Sequence, residues 1–96
     1  MKVIWTRKAE NQLDQIFNYI KEDSVFYAYR TVQQIIETAE GVTEHPRKGR
    51  LVPELEREDI HEVFSFPYSI IYLLTEDQIQ ILSVIHDRRL LYEKSI

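Results

Sequence analysis

Cysteine is absent from the chain, so it has neither a disulfide framework nor a thiolate for metal binding or nucleophilic catalysis. Glycine occurs twice and proline three times, with no repeat or low-complexity tract, which leaves no composition for a linker or a disordered arm. No apolar run approaches a membrane span and no secretory pattern is present, so a cytoplasmic protein without membrane contact is the expectation. A glycine-rich phosphate loop is missing too. His45, His61 and His86 lack ligand spacing, so no metal and no cofactor is expected.

What is present suits one compact unit. The 96 residues are 44% hydrophobic, enough for one core, and residues 1–96 read as a single domain. Charge is uneven: residues 1–48 carry seven cations and seven carboxylates, whereas residues 49–96 carry five and nine, so the whole net charge of -4 lies in the second half. That half offers no broad surface for phosphate. Screening confines such fields to about 8 Å, so a local pair such as Arg88 and Arg89 still forms a small positive site.

Lys2 to Trp5 reads as a short strand, and Thr6 is placed to cap a helix with its hydroxyl. Ala9, Leu13, Ile16, Phe17 and Ile20 follow at helical spacing and form one apolar stripe. Lys21-Glu-Asp-Ser24 breaks the pattern, and Asp23 or Ser24 can cap a second helix whose apolar positions are Ala28, Val32, Ile35, Ala39 and Val42. So short a connection predicts antiparallel neighbours. His45-Pro46 ends that helix, and Lys48-Gly-Arg50 turns the chain. Leu51 to Leu55 reads as an edge strand because Pro53 cannot donate to a central ladder.

Ile60 to Phe66 is the next strand, and Pro67 turns it into the most strongly patterned segment. Tyr68 to Leu74 and Ile79 to Ile85 are two runs rich in Ile, Val and Tyr around Thr75-Glu-Asp-Gln78, the form of a hairpin. Counting back from the turn sets Leu74 opposite Ile79, Tyr72 opposite Ile81, Ser69 opposite Val84, and Pro67 near His86. One face then holds Tyr68, Ile70, Tyr72, Leu74, Ile79, Ile81, Ser83 and Ile85; the other holds Ser69, Ile71, Leu73, Gln80, Leu82, Val84 and His86. Both are apolar, and only one fits under a helix pair. An exposed Leu, Val or Ile forgoes about 1.5–3 kcal/mol of burial, so a partner chain is expected over Ile71, Leu73, Leu82 and Val84.

Five segments in order carry a more specific signal: Ala9-x3-Leu13-x2-Ile16, Pro46-x2-Gly49-Arg50, Val52-Pro-Glu-Leu55, Tyr68-x-Ile70-Ile71-Tyr72 and Val84-Ile-His86-x-Arg88-Arg89. Together they resemble the RelE/ParE superfamily of toxin-antitoxin toxins, also called plasmid stabilisation proteins. The resemblance implies an α+β two-layer fold, a helical hairpin on a mostly antiparallel sheet, in the order strand, two helices, four strands. It also implies a cognate antitoxin, which Ile71, Leu73, Leu82 and Val84 would contact. Whether the chain forms a homo-oligomer or a toxin-antitoxin hetero-oligomer stays open.

Two kinds of activity go with the resemblance. RelE-like members cut messenger RNA on the ribosome with basic side chains, sometimes with a Glu and a His. ParE-like members bind DNA gyrase and need no phosphodiester chemistry. For a nuclease, His86, Arg89, Tyr92 and Glu62 are the candidates, with Glu62 and Phe64 expected on the face of Ser69 and His86. For target binding they are Arg50, Arg88 and Arg89. Two departures favour the ParE-like branch, or an attenuated toxin relic that acts only as an antitoxin-binding module, over the nuclease. Ser69 stands where nuclease members usually carry Arg after the Tyr of this strand, and a hydroxyl cannot replace a fixed charge. The segment from Glu54 to Glu62 is acidic where a surface approaching ribosomal RNA gains from lysines. Structural readings stand beside these: Arg50 pairing with Glu54 to pin the turn, Glu62 as an exposed strand residue, and His86 bonded to backbone or Asp87.

Overall fold

The structure is a computed structural model that describes residues 1–52, 55 and 57–86. Among the described residues, five strands and two helices follow in the order β1 (Lys2–Trp5), α1 (Arg7–Lys21), α2 (Val25–Gly41), β2 (Arg50–Leu51), β3 (Ile60–Ser65), β4 (Tyr68–Leu74) and β5 (Gln78–His86), with a 3-10 turn at Val42–Glu44. The sheet order is β1-β5-β4-β3-β2; β1 runs parallel to β5 and every other pair is antiparallel. This is the α+β layout expected from the sequence. Where Leu51 to Leu55 was expected as an edge strand, the described part of β2 is Arg50–Leu51, paired with Glu62 and His61, and the Val52 amide donates to Ile60 O at 3.4 Å; Pro53 and Glu54 lie outside the described residues.

Helix termini form where small polar side chains replace missing backbone partners. Thr6 Oγ1 accepts from the Ala9 amide at 3.2 Å, and Ser24, not Asp23, caps α2 by accepting from the Tyr27 amide at 3.2 Å. Both helices lie on the same side of the sheet. Ala9, Ile35, Ala39 and Val42 meet Val63, Ile70, Tyr72, Ile79, Ile81 and Val84 in one core, with Trp5, Leu13 and Ile16 packed at its border.

The β4–β5 ladder departs from a simple hairpin at one point. Leu74 pairs with Ile79 and Tyr72 with Ile81 as counting predicts, but the next pair is Ile71 with Ser83. Leu82 is one residue too many, a β-bulge. Since strand side chains alternate faces, a single extra residue turns the rest of β5 over. Val84 pairs with Ile70 and is buried under the helices, and Tyr68, not Pro67, pairs with His86. Ser83 and Ile85 therefore lie on the second face, where the simple count had placed Val84 and His86.

The bulge is held by residues far away in sequence. β1 ends at Trp5, so among the described residues β5 beyond Ile81 has no strand neighbour on that side. Thr6 takes over: its amide donates to Ile81 O at 3.1 Å and its hydroxyl to the same oxygen at 2.8 Å, with a longer contact of 3.4 Å to Leu82 O. Gln12 on α1 follows, its Oε1 accepting from the Val84 amide at 2.7 Å. Unpaired backbone groups in a buried strand are costly, so these two side chains stabilise the irregular register.

Candidate functional site

The motif Pro46-x2-Gly49-Arg50 and the strand motif around Tyr72 meet as one network. The Tyr72 hydroxyl donates to Pro46 O at 2.7 Å, anchoring the loop after α2 to the middle of the sheet. Gly49 lies against that ring. A Cβ there would stand 2.9 Å from Glu62 O and 3.0 Å from the Tyr72 ring, closer than side-chain carbons approach. Burial raises the Tyr72 hydroxyl above the ordinary tyrosine range, with the Gly49 backbone acting weakly in the other direction. Tyr72 is thus a protonated donor and a structural post.

Gly49 lets the chain pass close enough for Arg50 to pair with Glu62 across β2 and β3. Arg50 Nε lies 2.5 Å from Glu62 Oε1, and the guanidinium carbon sits 5.9 Å from the centre of the Phe64 ring. The two partners differ in exposure: the Arg50 side chain is 47% exposed and that of Glu62 is 0%. Glu62 is therefore not the exposed strand residue expected, and Arg50 pairs with it; Glu54, the partner expected for Arg50, lies outside the described residues. Such an arrangement fixes the carboxylate as an ion-pair acceptor and hides it from solvent. Phe64 is paired with Ser69, which is fully buried and whose Oγ has no hydrogen-bond partner.

The expected neighbourhood of Glu62 and His86 does not form. Glu62, Phe64 and Ser69 share the second face, but the bulge turns His86 to the helix side. There His86 is exposed, edge-on to Tyr68 at 5.8 Å between ring centres. It borders a cleft of about 380 Å³ whose walls include Tyr19 and Tyr68. Burial, and secondarily the neighbouring Tyr19, raises the Tyr68 hydroxyl above its ordinary range, so Tyr68 stays protonated there. Ile71, Leu73 and Leu82 are partly buried, whereas Val84 belongs to the core and is unavailable to any partner. Ile85 takes its place on the second face. Asp87, Arg88, Arg89 and Tyr92 lie outside the described residues.

Three residues that matter to this geometry carried no functional sequence signal. Thr6 was legible only as a cap, and nothing in the sequence pattern singled out Gln12; both hold the bulge. His61, stacked on Tyr72 at 5.4 Å and 14°, is buried on the helix side with its Nδ1 unpartnered.

The family model described as the ParE toxin of the type II toxin-antitoxin system, parDE, matches residues 3–91. The chain belongs to this family. Toxin RelE2 of Caulobacter vibrioides is 32% identical to this toxin over 89 residues, which cover 93% of the chain and 98% of the relative. A solved structure described as the chromosomal ParDE TA system from P. aeruginosa superposes with a TM-score of 0.73 at 27% identity, covering 90% of this toxin and 95% of that chain. It is thus a type II toxin of the RelE/ParE superfamily, with the helical hairpin on a sheet that the neighbour also shows.

Proposed function

We propose that this toxin acts in the ParE-like manner, in the cytoplasm: it arrests growth by binding a protein target, DNA gyrase, and is neutralised by a cognate antitoxin. One observation carries the choice of branch. A cleavage site needs its carboxylate within about 2.6–3.2 Å of the group it deprotonates. Here Glu62 is buried in an ion pair, and His86 lies across the sheet from it. Ser69, in the place of a phosphate-holding arginine, is buried as well. These features favour binding over RNA chemistry.

The antitoxin reading rests on the second face. Ile71, Leu73, Leu82 and Ile85 are partly buried there, and completing their burial is worth up to about 1.5–3 kcal/mol for each side chain. An apolar helix or added strand of the antitoxin supplies that cover by a general mode of peptide recognition. Arg50, Arg88 and Arg89 remain the proposed target contacts.

Two purified assays separate the branches. The toxin is expected to inhibit gyrase supercoiling and to leave messages intact in a reconstituted translation reaction mapped by primer extension. Ribosome-dependent cuts that disappear with Glu62→Gln would sink this reading and establish the nuclease.

A further inference from the structure

We propose that two copies of this chain associate through the tip of the helical hairpin, forming a symmetric dimer around an aromatic patch on the first turn of α2. The patch is continuous. Phe17 and Tyr29 meet edge to face at 5.0 Å and 76°, bridging the two helices. Val25 and Phe26 lie beside Tyr29 on one turn of α2, and Phe26 meets Tyr27 edge to face at 5.5 Å and 74°. Val25, Phe26, Tyr27 and Tyr29 are all exposed, Phe26 by 65% and Tyr29 by 66%, while Ala28 between them is buried in the core.

The area is large for a monomer of this size. A fully buried aromatic side chain covers about 150–250 Å², so the exposed parts of Val25, Phe26, Tyr27 and Tyr29 amount to about 500 Å². Two copies facing one another would bury about 1,000 Å², the threshold for a specific interface. Paired rings that are already packed lose little freedom on docking, which favours such a patch energetically.

Charge selects a second copy as the occupant. Lys21 and Arg30 flank the patch with Glu22 and Asp23, two cations and two carboxylates in an otherwise acidic protein, and all four are exposed. A balanced rim suits a two-fold arrangement, where each protomer's cations meet its partner's carboxylates. A strongly basic or acidic partner would instead meet like charge at half of the rim. The hairpin tip is separate from the second sheet face and from the Arg50 pair, so this inference does not rest on the antitoxin or gyrase reading.

Sedimentation velocity on the purified chain at about 100 µM tests it, a concentration suited to the micromolar affinity of an interface at that threshold. The expected particle has twice the mass of one chain, and the double variant Phe26→Glu/Tyr29→Glu halves it. Phe66→Glu, an equal change at an exposed ring on the β3–β4 turn, leaves the dimer intact. The proposal is overturned by a wild-type chain of single mass, by a dimer that survives the double variant, or by equal dissociation with Phe66→Glu. It is also overturned if hairpin amides gain protection only when an antitoxin is added.

Discussion

Replacing Gln12 by Ala tests the feature on which the site geometry depends. Gln12 Oε1 is the acceptor for the Val84 amide at 2.7 Å, and Val84 is 2% exposed, so truncation leaves a buried N–H without a partner. The cost of such a group is about 1–3 kcal/mol. Alanine is the better helix former, so helix propensity works against the loss and cannot create it. In a domain of this length each kcal/mol lowers the melting temperature by about 4–8 °C, giving an expected drop of roughly 4–24 °C. Amide hydrogen exchange supplies the local readout: the Val84 N–H is expected to lose protection well before the centre of β4. Gln12→Glu, which keeps an oxygen at the same reach, should recover most of both. A Gln12→Ala protein that melts within about 2 °C of wild type and still protects Val84 would refute the idea that α1 holds the bulge.

Other substitutions probe the loop network and the pH response. Gly49→Ala forces a carbon against Glu62 O and the Tyr72 ring and should cost about 1–3 kcal/mol in urea unfolding, displacing the Arg50–Glu62 pair. Tyr72→Phe removes the donor to Pro46 O and should cost about 1 kcal/mol at neutral pH. Its pH dependence has a definite sign. An unfolded tyrosine releases its proton near pH 10, and burial raises Tyr72 and Tyr68 above that in the folded protein. Their contribution is therefore whole below about pH 10 and is lost as pH rises through the folded values. Denaturation series at pH 8 to 11 should show the wild type losing stability at the alkaline end, and Tyr72→Phe losing less (about one tyrosine's share).

Much of the fold was legible because it depends on local patterns. Thr6 and Ser24 are capping residues in front of amphipathic runs, and Ala28, Ile35, Ala39 and Val42 all occupy the core their spacing assigned. The turn at Thr75 to Gln78 set the near half of the β4–β5 register correctly, through Leu74–Ile79 and Tyr72–Ile81. The candidate site was legible only in part. Arg50 and Glu62 stood out as chemistry-bearing residues, but neither their pairing nor the burial of Glu62 followed from spacing, since the partners lie twelve positions apart, Arg50 on the short edge strand β2 and Glu62 on β3.

From the chain alone came the strand and helix segments, their order, the caps and the family, since each is written in neighbouring residues or short motifs. Tertiary structure alone decided which groups meet. Ile81-Leu-Ser-Val84 contains no glycine to signal a bulge, and the irregularity exists because Thr6 and Gln12, some seventy positions away, satisfy its backbone where β1 has ended. One extra residue then reverses every side chain beyond it. That reversal buries Val84, sends His86 to the helix side and leaves Glu62 with Arg50 on the other.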